Sequence, residues 1–97
     1  MNDLLKFLNK NRKKLVLVDY ESLINTSSQI EALKAEKDQK KKAAAVEAIK
    51  RNLNGLEAVA KTRHYASAEY TSPYADVKNR LILQEAIGFA RRLLREV

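Results

Sequence analysis

Residues 72–97 read SPYADVKNRLILQEAIGFARRLLREV, and one long amphipathic helix accounts for almost every position in them. Ser72 can accept a hydrogen bond from a free N–H of a first helical turn. Pro73 then falls at the first helical position, where its missing N–H costs nothing. Ile82, Leu83, Ala86, Ile87, Ala90, Leu93, Leu94 and Val97 follow at the three- and four-residue steps that gather side chains on one helical face. Lys78, Arg80, Glu85, Arg91, Arg92 and Arg95 lie largely outside that face. The last three also place positive charge in the final turns, where it complements the helix dipole. The apolar face holds two rows, 82/86/89/93 and 83/87/90/94/97. One neighbouring helix covers one row, so the second implies burial against another copy of the chain, and homo-oligomerisation is expected on that ground.

Working back toward the N-terminus, Val46, Ile49, Leu53, Leu56 and Ala60 step by three and four, and Ala43, Ala44 and Ala45 add helical propensity. This spacing predicts a helix over 42–64. Asn54-Gly55 could turn the chain, but the stripe continues through it. The glycine is therefore expected inside the helix, where another helix comes close. Residues 34–42, KAEKDQKKK, carry almost no apolar surface and suit a solvated helix face or a helix-to-helix tip. Lys40, Lys41 and Lys42 offer a phosphate-binding cluster as the competing reading.

Tyr20, Leu23 and Ile24 form a short apolar cluster ahead of Asn25-Thr26-Ser27-Ser28, whose side chains compete with a helix for backbone groups. Ser28 and Glu31 have capping-box spacing. The expectation is a helical segment over 20–37 broken at 25–28. That outline faintly resembles a helix-turn-helix, although the turn has no glycine, Tyr20 stands where a small residue is needed, and no cation precedes Lys34 in the second helix. In residues 3–18, Leu4, Leu8, Leu15 and Val18 share one side, with Asn11 in the gap. Leu15-Val16-Leu17-Val18 would also make a short buried strand, but no second strand exists to pair with it, so one helix over 3–18 is predicted. Leu4, Leu5, Phe7 and Leu8 among five cations would equally let this segment lie on an anionic membrane.

These segments define an all-α fold, a single domain over 1–97 built as a three- or four-helix antiparallel bundle with a long C-terminal helix. The helices at 42–64 and 73–97 should run antiparallel, since their connection is short. The expected core is Leu8, Leu15, Leu23, Ile30, Leu33, Val46, Ile49, Leu53, Leu56, Leu83, Ile87, Ala90 and Leu94. Two glycines and one proline in 97 residues suit long helices better than a many-turned β fold. With 45% apolar and 32% charged residues, the composition is that of a folded chain, and its four-residue apolar runs are far shorter than a membrane span. Cations interrupt the apolar residues at the N-terminus, which is unlike a signal peptide, and a cytoplasmic location is expected.

No cysteine is present, which excludes disulfides and thiolate metal sites. His64 is the sole histidine, and no Gly-rich phosphate loop or His/Asp/Glu set at ligand spacing accompanies it. Acid–base and nucleophilic catalysis both need a second positioned group. Hence no catalytic residue, cofactor, metal or small-molecule substrate is expected. The net charge of +7 favours acidic partners. It is spread evenly, however: residues 1–50 carry 11 basic and 7 acidic side chains, and residues 51–97 carry 8 and 5.

Two functions fit. The first is a non-catalytic binding or assembly protein of adaptor, inhibitor or scaffold type, acting through protein–protein contacts. The second is a nucleic-acid binder. Residues 63–74, RHYASAEYTSPY, interleave Arg63, His64, Tyr65, Tyr70 and Tyr74, rings on which bases stack beside a cation that meets phosphate. Arg51, Lys61, Arg91, Arg92 and Arg95 would supply further phosphate contacts, and the same cations would serve an acidic protein partner. The even spread of charge tips the balance to protein binding.

Overall fold

Four α-helices and a short 3-10 turn make up the computed structural model, which describes residues 3–62 and 73–97, with side chains for 3–61 and 78–97. The helices are α1 (Asp3–Lys10), α2 (Leu17–Ala35), α3 (Gln39–Thr62) and α4 (Pro73–Arg95), and the 3-10 turn is Arg12–Lys14. No strand occurs among the described residues. The fold is the all-α antiparallel bundle that the periodicities require.

The first predicted helix is divided. The Asn11 Nδ2 and its backbone N–H both donate to the carbonyl oxygen of Phe7, at 2.9 and 3.1 Å, and Lys14 N–H donates to the Asn11 carbonyl. A short polar side chain that binds nearby backbone offers the chain a way out of the helix. The cations Lys10, Arg12, Lys13 and Lys14 follow with no carboxylate at helical spacing among them to offset their repulsion. Leu15 and Val16 are extended, at φ −109°, ψ 144° and φ −62°, ψ 138°. Leu15 is buried and anchors the turn to the core, while Leu17 and Val18 open α2 rather than closing a helix over 3–18.

A second correction concerns residues 25–28. Helix α2 runs through them unbroken, so neither the turn nor the helix-turn-helix outline is present. Thr26 and Ser27 are buried, and Thr26 Oγ1 donates to the carbonyl oxygen of Ser22 at 2.9 Å. A hydroxyl satisfied one turn back by its own helix can enter a core without a distant partner. Ser28 stays exposed mid-helix, where capping-box geometry has no terminus to serve.

The charged stretch 34–42 contains the link. Ala35 ends α2, Glu36 is extended at φ −75°, ψ 122°, and α3 begins at Gln39, three residues earlier than the stripe alone indicates. Asp38 is the reason. Its Oδ1 accepts from the N–H groups of Lys40 and Lys41 at 2.9 and 3.3 Å, capping α3 where first-turn donors lack helical partners. Asp38→Ala is expected to cost about 1 kcal/mol, read as a lower midpoint in urea unfolding at unchanged m.

The core holds Leu4, Leu8, Leu15, Leu23, Ile30, Leu33, Ile49, Leu53, Leu56, Ala60, Leu83, Ala86, Ile87, Ala90 and Leu94. Every residue expected there is buried except Val46, which packs half-buried on the edge. Leu4 and Leu8 are buried and so do not face a membrane, while Leu5 and Phe7 are half-buried. Gly55 sits within α3, but no helix approaches it closely: a Cβ there would meet nothing within 4 Å. Helix α4 packs against α1, α2 and α3 alike. Its 82/86/89/93 row is occupied within the chain, for Ala86 is buried and Ile82, Phe89 and Leu93 pack on the core. The Phe89 and Phe7 rings lie 5.1 Å apart. Helix α1 packs on this side of α4, with Phe7 against Phe89.

Candidate functional site

Helices α3 and α4 are tied across their polar flanks by Arg91. Arg91 Nη2 donates to Glu57 Oε2 at 2.6 Å and to Asn54 Oδ1 at 2.9 Å. Further along, Leu94 and Arg95 share a groove with Val46 and Lys50, so position advances on α4 as it retreats on α3 and the two run antiparallel.

The groove encloses about 450 Å³ and is lined by Val46, Lys50, Leu53, Asn54, Arg91, Leu94 and Arg95. Its floor is aliphatic and its rim carries three cations and an amide. The spacing 46/50/53/54 on α3 and 91/94/95 on α4 is the helical repeat itself, which sets apolar and cationic residues alternately on each wall. A smaller groove of about 310 Å³ lies between α2 and α3, lined by Leu33, Ile49 and several alanines together with Glu36 and Lys41.

Arg91 is held in place by α3. The Glu57 carboxyl is held below the usual carboxylate range by the hydrogen bond from Arg91, then by the charge of Arg91, with Lys61 adding to it and burial opposing. A lowered folded-state value means that the unfolded chain binds this proton more tightly. The stabilisation is thus fully present above the ordinary carboxylate range and is lost as pH falls through the lowered value. Arg91→Gln should lower the thermal midpoint at neutral pH and make little difference in strong acid. In the same variant the Glu57 carboxyl carbon, followed by NMR, should titrate at a higher pH. A difference in midpoint independent of pH would contradict this account.

The other proposed partner-binding cations do not all converge. Arg95 lines the groove, whereas Arg92 stands 4.5 Å over the Phe89 ring, toward α1. Arg51 and Lys61 are exposed on α3. Lys40 and Lys41 are exposed in its first turn and Lys42 is half-buried, with Lys41 reaching the second groove. Arg63, His64, Tyr65 and Tyr70 lie outside the described residues, and of Tyr74 only the backbone, in the first turn of α4, is described.

Sequence reasoning missed Lys50 and Asn54 as members of the groove, and Glu57 as the partner of Arg91 beside it. Glu57 stands four residues before Lys61 and reads as half of an ordinary helical pair, and nothing local points it at Arg91. The antiparallel register of α3 and α4 was the usable signal, since it fixes which rows face. No family model matches this chain, and no characterised protein or solved structure does. Among the described residues no helix is long and apolar enough to cross a membrane, and no three carboxylate or histidine side chains stand close enough to share a metal ion.

Proposed function

We propose that this protein is a non-catalytic binding module that receives an acidic, amphipathic helical segment of a protein partner in the α3–α4 groove. The single observation behind this reading is the lining of that groove: aliphatic Val46, Leu53 and Leu94 below, with Lys50, Arg91 and Arg95 around them. Such a surface matches an apolar anchor flanked by carboxylates, the helix-in-groove mode of recognition. Electrostatic complementarity at the rim would speed association and set orientation, while the buried anchor would supply affinity.

Several cations, Lys50 of the groove among them, are also engaged within the chain. Lys34 pairs with Glu31 at 3.3 Å, Lys50 approaches Glu47 at 3.6 Å, and Arg12 and Arg92 cover aromatic rings. Side chains so placed suit a mixed protein surface better than a continuous phosphate track.

The test is fluorescence anisotropy with a labelled synthetic helix bearing leucines at helical spacing and glutamates beside them. Single- and double-stranded oligonucleotides are titrated in parallel at two salt concentrations. Binding of the peptide that is lost in Val46→Asp and in Arg95→Glu is the expected result. Oligonucleotide binding that falls steeply with salt yet ignores Val46→Asp would replace this reading with nucleic-acid binding, because phosphate contacts release counterions and need no apolar floor.

A further inference from the structure

The turn between α1 and α2 has a character found nowhere else among the described residues. Residues 4–18 contain five cations, Lys6, Lys10, Arg12, Lys13 and Lys14, and no carboxylate. Arg12, Lys13 and Lys14 are exposed on the 3-10 turn. Directly after them, Leu17 and Val18 are 60% and 66% exposed, two of the three large aliphatic side chains so exposed among the described residues. The nearest carboxylate in the chain, Asp19, is turned inward at 2% exposure.

We propose that this corner docks on an anionic lipid bilayer, with Leu17 and Val18 entering the headgroup–acyl boundary while the cations of the turn meet lipid phosphates and carboxylates.

The corner is built to hold that presentation. Leu15 is buried directly beneath it, Asn11 fastens the end of α1 through its two bonds to the Phe7 carbonyl, and Lys14 N–H closes the 3-10 turn on Asn11. Tyr20 OH donates to Asn9 Oδ1 at 3.2 Å and ties α2 to α1, and the Arg12 guanidinium lies 5.5 Å from the Tyr20 ring centre. Two adjacent aliphatic residues at a helix start form too small a patch to anchor a protein by themselves. Cations beside them supply the second attraction that stable surface binding requires. A protein partner would need acidic groups around an apolar pocket, whereas a flat anionic bilayer offers charge and hydrocarbon at once to an exposed corner. This surface is separate from the α3–α4 groove, and the inference does not rest on the proposed function.

The experiment is co-sedimentation of the full chain with phosphatidylcholine vesicles, either neutral or containing about 30% phosphatidylserine, a stand-in for an anionic leaflet. The wild-type chain should pellet with the anionic vesicles and not with the neutral ones. Leu17→Ser with Val18→Ser should weaken partitioning roughly tenfold or more, from the lost apolar contact. Lys13→Gln with Lys14→Gln should weaken it by about twenty-five-fold, near fivefold per cation. Lys40→Gln with Lys41→Gln removes the same charge from α3 and should change it little. All of these side chains are exposed, and circular dichroism checks that the variants fold. The chain has no cysteine, so Leu17→Cys carries a single environment-sensitive dye. Its emission should shift to the blue on anionic vesicles and not with soluble glycerophosphoserine, while the same dye at Ala44→Cys should not shift on either. No pelleting at low salt, full retention by the Leu17/Val18 variant, or equal losses in the two lysine variants would each overturn the proposal.

Discussion

Leu83→Ala is expected to lower stability by about 3 kcal/mol, within the roughly 2–5 kcal/mol seen when a buried leucine is truncated. For a domain of this size that corresponds to a fall of about 12–24 °C in thermal midpoint. Leu83 is fully buried in the middle of α4, and α4 is packed against each of the other three helices. Truncation there loses contacts that bind several elements together, in an interior too close-packed to collapse around the void. Leu81 stands two positions away on the same helix and is 58% exposed. Leu81→Ala should change stability by no more than about 0.5 kcal/mol, since alanine's propensity offsets the little burial that is lost. The comparison holds residue type and helix constant and varies burial alone. Similar midpoints for the two variants, measured by calorimetry, would show that α4 faces its neighbours differently.

Asn25→Pro is expected to cost about 3 kcal/mol or more, or to prevent folding. Asn25 is exposed, so the loss would come from the backbone, through one missing hydrogen bond and a ring pressed against the carbonyl one turn earlier. Lys37→Pro is the counterpart. Glu36 before it already has φ −75° and ψ 122°, the extended geometry a residue preceding proline prefers. That variant should fold with near-normal stability. Were residues 25–28 a turn, the two prolines would be tolerated alike. Chemical unfolding of both variants, with helical content from circular dichroism, distinguishes the cases.

These two experiments bear on different kinds of information. Leu83 belongs to a stripe legible from spacing, because burial of one helical face imposes its period on the sequence. Asn25-Thr26-Ser27-Ser28 reads locally as a break, because hydroxyl and amide side chains favour turns when nothing opposes them. Packing opposes them here. Leu23, Ile30 and Leu33 on either side are buried, and Thr26 resolves its hydroxyl within α2. The reverse error occurred at 11–16, where apolar positions at helical spacing suggested continuity. Asn11 bonded back to Phe7, and the chain left the helix into a charged turn. Local propensity and local spacing each failed where the other, or a distant contact, carried more free energy.

The sequence by itself determined that this chain is all-α, where its last two helices lie, and nearly all the side chains they bury. It could do so because apolar residues at three- and four-residue steps have one economical arrangement, a shared interior. Only the tertiary structure decided that Phe7 of α1 packs on Phe89 of α4, that Arg91 reaches Glu57, and that Lys50, Arg91 and Arg95 surround one aliphatic groove. Those facts depend on the register between helices distant in sequence. Register is set by how whole side-chain surfaces interlock, a property that no single stretch of residues contains.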